Sequence, residues 1–180
     1  MKSKTISLLE IANPDAEVRE EVSLIANKIG PRGSIGESPE VQTKSTISVS
    51  ICGSYHRHLR EMKHLILECR KLGITVHIPR YAVRKYSRKG FVYLRGENGT
   101  PRELQDKNFR AIERSSFLLV VNPKGYIGSS TSMEIGYAIA KGIPIFCTDK
   151  PEDYVFQFYT KYGRSLAEIK AMLSASSAVA

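Results

Sequence analysis

Glu134 lies ten residues into the run Gly125-Tyr126-Ile127-Gly128-Ser129-Ser130-Thr131-Ser132-Met133-Glu134, where glycines follow an apolar strand-like stretch and hydroxyl residues lead into a helical pattern. Backbone N–H groups at a glycine turn and a helix start hold anions, and hydroxyls beside them add donors for phosphate or sugar. Gly128, Ser130 and Thr131 are therefore candidate binding residues. The spacing predicts a helix from about Thr131 to Lys141, with Glu134 in its first turn and its carboxylate aimed back at that mouth. The same spacing has a purely local explanation. Thr131-x-x-Glu134 is a capping box, in which the carboxylate only satisfies a backbone N–H.

A second segment has similar chemistry. Cys52-Gly53-Ser54-Tyr55 reads as strand, glycine turn and hydroxyl, followed by a helix over Leu59 to Leu72. Glycine there lets a ligand approach the backbone, and Ser54 caps the helix or donates to phosphate, with His56 or Arg57 beside it as a phosphate contact. The four histidines do not make a metal set: His56 and His58 point apart on a helix, and His64 is too distant for a tight zinc shell. Ser129, Ser130 and Ser132 lack both a G-x-S-x-G turn and a downstream histidine, which argues against a serine nucleophile. Neither a metal nor a cofactor is expected.

These residues need a scaffold, and the pattern supplies one. Short apolar runs over Thr46 to Cys52, Ile74 to Ile78, Phe117 to Asn122 and Ile143 to Cys147 alternate with helical stretches. Runs such as FLLVV and IPIF show no period of two, as expected of parallel strands covered on both sides. The expected fold class is α/β, a doubly wound, mostly parallel open sheet of the Rossmann/flavodoxin-like kind with helices on both faces. Ligands of such sheets sit beyond the carboxyl ends of the strands. Pro101 to Arg114 reads as a helix entering the Phe117 strand. Ser165 with Glu168 forms a capping box for a helix to about Leu173, with 174–180 a frayed tail.

Ahead of this body, Asn13 caps a helix that begins at Pro14, carries Asp15 and Glu17 in its first turn and stops at Gly30-Pro31. The stretch from there to 45 reads as a connector. Residues 1–45 are thus expected to pack on the body at 46–173.

The chain has 180 residues, 42% hydrophobic and 25% charged, which suits one ordinary globular domain with a real core. No apolar run approaches the ~18 residues of a membrane span, and the N-terminus lacks the order of a signal peptide, so the cytoplasm is the expected compartment. Cys52, Cys69 and Cys147 show no C-x-x-C spacing and read as buried, reduced thiols. The net charge of +9 is concentrated: 56–95 holds eleven Lys/Arg against Glu61 and Glu68, a surplus equal to that of the whole chain. With Tyr81, Tyr86, Phe91 and Tyr93 interleaved, this excursion suits phosphorylated small molecules or single-stranded nucleic acid.

From Ile51 to Cys147 the order ICGS, FLLVVNP, GYIGSSTSMEIGYAIAKG and IPIF resembles the nucleoside 2-deoxyribosyltransferase-like family, which includes nucleotide N-hydrolases. The likeness covers about 100 of the 180 residues, and GYIGSSTSMEIGYA is its most specific part. The resemblance implies a nucleoside or nucleotide ligand, chemistry at the N-glycosidic bond by transfer or hydrolysis, a homo-oligomer, and Glu134 as the catalytic carboxylate under the anomeric carbon. It also exposes departures. The family's usual aspartate falls on Asn108, with Asp106 two residues earlier. The first-strand tyrosine falls at Ser50, with Tyr55 nearby, and Gly128 or its neighbours replace a loop aspartate. Asn108 and Asn122 then stand as hydrogen-bond donors for a departing base. Three readings stay open: an N-glycosidic enzyme, a non-catalytic nucleotide-derivative sensor, and a nucleic-acid binder working through residues 80–95.

Overall fold

This computed structural model describes residues 46–79, 84–88 and 91–176, and the elements expected before residue 46 lie outside them. Five parallel strands form the sheet in the order β2-β1-β5-β6-β7: β1 is Ser48–Gly53, β2 Thr75–Ile78, β5 Phe117–Val121, β6 Ile145–Cys147 and β7 Lys161–Tyr162. The helices are α1 Leu59–Lys71, α2 Pro101–Glu113, α3 Ser129–Ala140, α4 Tyr154–Tyr159 and α5 Leu166–Ser176. From β1 the chain first moves to the β2 edge, then returns to β5 on the other side. The switch point of the sheet is therefore between β1 and β5, where their carboxyl ends leave a crevice.

The unbroken apolar run of β5 hides a period of two. Phe117, Leu119 and Val121 join the cluster under α1 and α5, with Met62, Ile66, Leu166 and Ile169. Leu118 and Val120 join the opposite cluster under α2 and α3, with Ile112, Ile135 and Ala138. A strand covered on both sides has no polar face to display, so alternation is absent from the sequence although it is present in space. Phe117 and Phe146 meet edge to face at 5.7 Å, a geometry that adds about 0.5–1.5 kcal/mol beyond area burial. All three cysteines are buried and free.

The basic excursion is an antiparallel hairpin of β3, Arg84–Arg88, and β4, Phe91–Leu94. It feeds α2 through Thr100, whose side chain accepts from the Glu103 N–H while Glu103 returns a carboxylate to the Thr100 N–H, with Pro101 opening the first turn. That box sets where α2 starts and hence which residues face α3. Ser165 and Glu168 form the same arrangement before α5, which continues to Ser176, past the expected end at Leu173. No helix among the described residues is long and apolar enough to cross a membrane.

Candidate functional site

α2 and α3 run parallel and touch along their length. At the far end Lys141 pairs with Glu113 at 2.6 Å, and midway Phe109 stacks on Tyr137 at 4.7 Å. At the end nearest the switch point, Gln105 Nε2 and Asn108 Nδ2 both donate to Glu134 Oε1, at 3.1 and 2.9 Å. Gln105 and Asn108 are three residues apart and so share one side of α2. On α3, Thr131, Glu134, Ile135 and Ala138 form the buried stripe, which carries Glu134 inward to 5% exposure.

α3 begins at Ser129, two residues earlier than the spacing predicts, with Gly128 as its cap. Glu134 accordingly stands in the second turn, and the Thr131 capping box does not form. Its carboxyl is engaged by another helix instead of its own main chain. Gly128 supplies no side-chain cap, which leaves the first N–H groups of α3 without one.

Glu134 lines a cavity of about 460 Å³ beyond the ends of β1 and β5. Gly53, Ser54, Tyr55 and His56 form one wall, Gly128 to Thr131 another, Gln105 and Asn108 a third, and the hairpin closes over it with Phe91 and Val92. Eight of the nine residues nominated from sequence meet here: Gly53, Ser54, Tyr55, Asn108, Gly128, Ser130, Thr131 and Glu134. Glu134 is the only carboxylate among the described lining residues. A second cleft, of about 480 Å³, lies along α1 between Arg60, His64 and Asp149 and holds none of the nominated residues.

Asn122 is a correction. It is fully buried, donates from Nδ2 to the Asp149 carbonyl at 2.9 Å, and accepts at Oδ1 from the Thr148 hydroxyl and the Asp149 N–H. Its amide is consumed in tying the end of β5 to the loop after β6, and it does not line the cavity. Asp106 likewise does not replace the missing acid. It sits in regular helix, half exposed, 4.0 Å from Arg102. Ser50 is fully buried and bonded to the Ser115 hydroxyl at 2.8 Å, inside the sheet.

The glycine at position 53 also has a different cause from the expected one. Its φ is +145°, and a Cβ there would lie 2.5 Å from the Val121 carbonyl and 2.7 Å from the Met62 methyl. The close approach that requires glycine is made by the protein itself. Of the hairpin's described residues, Phe91 and Val92 join the wall, while Lys85 and Tyr86 are exposed; the side chains of Arg80, Arg84, Arg88 and Lys89, on which the expected cationic contact falls, lie outside the described residues. Among the described lining residues His56 is the one basic side chain. Arg57 is spent nearby, its guanidinium 4.0 Å above the Tyr126 ring.

Burial dominates the electrostatics. It pushes the Glu134 carboxyl above its ordinary value, against the opposing donors Asn108, Gln105 and the Cys52 thiol. Burial, then the neighbouring Glu134 charge, pushes the Cys52 thiol well up, and burial with Glu134 and Glu97 does the same to the Tyr55 phenol. Both shifts favour the protonated form, in which the Cys52 thiol is one of the donors to Glu134 and the Tyr55 phenol lines the cavity uncharged. Sequence reasoning missed Gln105 and the Cys52 contact with Glu134. The i, i+3 relation of Gln105 to Asn108 was the available signal for the first.

No family model matches the chain, and no curated protein matches it. Among solved structures, a conserved protein from Enterococcus faecalis V583 aligns with a TM-score of 0.51 at 14% identity, over 73% of this chain and 99% of that one. BcmB, a CMP N-glycosidase from Clostridium botulinum, aligns at 0.45 and 15% identity, over 74% of this chain and 99% of that one. At these identities the likeness to the Enterococcus faecalis protein is one of fold.

Proposed function

We propose that the chain is an enzyme of the N-glycosidic bond, acting on a nucleoside or nucleotide in the cavity at the switch point, with Glu134 beneath the anomeric carbon. The observation that carries this reading is a buried carboxyl whose hydrogen bonds come from two amides of a neighbouring helix and which still lines an open cleft. A carboxyl serving only as a cap would be turned onto its own backbone.

In the reaction the C1′–N bond breaks and its electron pair leaves with the base. The ionised Glu134 carboxylate meets the positive charge that develops at C1′, as nucleophile or as counter-charge. Water, or a second base, then completes C1′. For hydrolysis, the hydroxyl stays on the sugar and the proton goes to the departed base. The uncapped start of α3 and the Ser54 and Ser130 hydroxyls suit a phosphate or sugar. Asn108, in the place of the family's aspartate, holds Glu134 in position and does not supply a proton.

That the described lining residues include no second acid favours one other reading, a binding module for nucleotide derivatives that has no turnover. One experiment separates the two. The full chain is incubated with ribo- and deoxyribonucleosides and their 5′-monophosphates, and free base is measured alongside thermal stabilisation. Release of base supports the enzyme; stabilisation without release supports the binding module; neither result defeats both.

A further inference from the structure

Gln105 holds Glu134 by one end of its amide only. Its Nε2 donates to Glu134 Oε1 at 3.1 Å, beside the bond from Asn108 at 2.9 Å. An ionised carboxylate accepts hydrogen bonds and donates none, so it fixes which end of the amide faces it. The carbonyl oxygen and the second N–H are left over. Gln105 Oε1 accepts no hydrogen bond from a described residue, and Gln105, half-buried, lines the cavity.

The cavity walls divide by chemistry. Ser54, Ser130 and the uncapped start of α3 make a polar side, whereas Phe91 and Val92 of the hairpin make an apolar one. The hairpin runs into α2, and Gln105 stands one turn nearer that entrance than Asn108. Phe91 is itself held in place: its ring meets Tyr93 edge to face at 5.1 Å, and Tyr93, buried, stacks on Tyr86 at 4.5 Å. A fixed aromatic ring beside an amide with a spare acceptor suits a flat heteroaromatic base, which is read by stacking on its face and by hydrogen bonds along its edge.

The order of the two amide ends selects among bases. The nitrogen lies at the carboxyl beneath C1′, so the spare N–H is nearer the glycosidic bond and the carbonyl oxygen is farther from it. Adenine offers the complement: the acceptor N7 lies nearer C1′ and the 6-amino donor farther out, the edge with which an amide side chain makes two hydrogen bonds. Hypoxanthine and guanine carry an oxygen at position 6, where two acceptors would meet. On the N-glycosidic reading of this cavity, on which the assignment rests, we infer that the base is adenine, with Gln105 as the residue that selects it and Phe91 as the ring on which it stacks.

Titration calorimetry of the full chain tests this with the 5′-monophosphates of adenosine, inosine, 7-deazaadenosine, cytidine and uridine. The adenosine ligand is expected to bind tightest. Inosine and 7-deazaadenosine, each of which removes one of the two bonds, are expected to be weaker by at least about 10-fold. In Gln105→Leu, with Asn108 still holding Glu134, the preference for adenosine over inosine is expected to fall to within about 3-fold. Gln105→Met provides the same readout where Gln105→Leu does not keep the wild-type melt. A Gln105 that only braced Glu134 would, when lost, weaken every ligand alike and leave their ratios untouched. Equal affinity for adenosine and inosine, tightest binding of a pyrimidine, ratios that survive both substitutions, or no binding by any of these ligands overturns the proposal. Discrimination without release of free base upholds it and defeats the enzymatic reading, whereas base release without discrimination does the reverse.

Discussion

Asn108 and Glu134 meet at 2.9 Å across the gap between two parallel helices, amide nitrogen to carboxyl oxygen, at the place where the sheet changes direction. The bond fixes a carboxyl that burial would otherwise drive further toward its neutral form. Removing the donor has a signed consequence. Asn108→Ala raises the Glu134 titration further, so the acidic limb of the rate profile moves to higher pH if the ionised carboxylate is the working form. A raised carboxyl favours the fold fully below its unfolded value, ~4.3, and loses that contribution as pH rises through the folded value. The melting temperature of Asn108→Ala is therefore expected to fall increasingly below wild type as pH is raised from about 4 toward neutrality. A deficit independent of pH would contradict this.

Gly53→Ala tests the reason for the glycine. The new methyl meets the Val121 carbonyl and the Met62 side chain in a backbone conformation that favours glycine. A loss of about 2 kcal/mol or more in urea unfolding is expected. A change below about 0.5 kcal/mol would show that β1 and β5 relax apart at that point.

Asn122→Ala separates a structural asparagine from a binding one. It strands the Asp149 N–H and the Thr148 hydroxyl, which Asn122 Oδ1 now accepts from. A loss of about 1–3 kcal/mol follows. Substrate affinity of the folded variant stays within a few-fold of wild type, because the side chain does not line the cavity. A large rise in KM without destabilisation would return Asn122 to the binding site.

The thiols give a simple test of the core. Cys52, Cys69 and Cys147 are 0–2% exposed, and burial pushes Cys69 up to about 12 and Cys147 to about 11. None should react with a disulfide exchange reagent at pH 8 before unfolding, and all three should react in denaturant. A fast-reacting thiol in the native protein would contradict the packing of both clusters.

Much of this arrangement was legible in the residues. The Phe117 run and the glycine at the end of β1 indicate buried parallel strands with a crevice at their ends, and eight of the nine nominated residues line it. The sequence does not distinguish an asparagine consumed by a loop 26 residues later from one facing a ligand, since Asn122 looks the same in either role. Gln105 went unnoticed because i, i+3 spacing points at a partner only once α3 lies alongside. The capping box at Thr131 failed because Gly128 starts α3 earlier, and local spacing carries no information about that competition. The hairpin's charge suggested cations at the pocket; its described contribution is Phe91 and Val92, and most of its basic side chains lie outside the described residues.

The most direct test of the Glu134 assignment compares free-base release by wild type and Glu134→Gln across nucleosides and their monophosphates at neutral pH. The amide substitution keeps an acceptor for Gln105 and Asn108 and removes a charge that burial disfavours, so its melting temperature should match or exceed wild type. The account predicts release by wild type and a loss of at least about 100-fold in the folded variant. Equal rates in the two proteins, or no release by the wild type with any of these substrates, would contradict it.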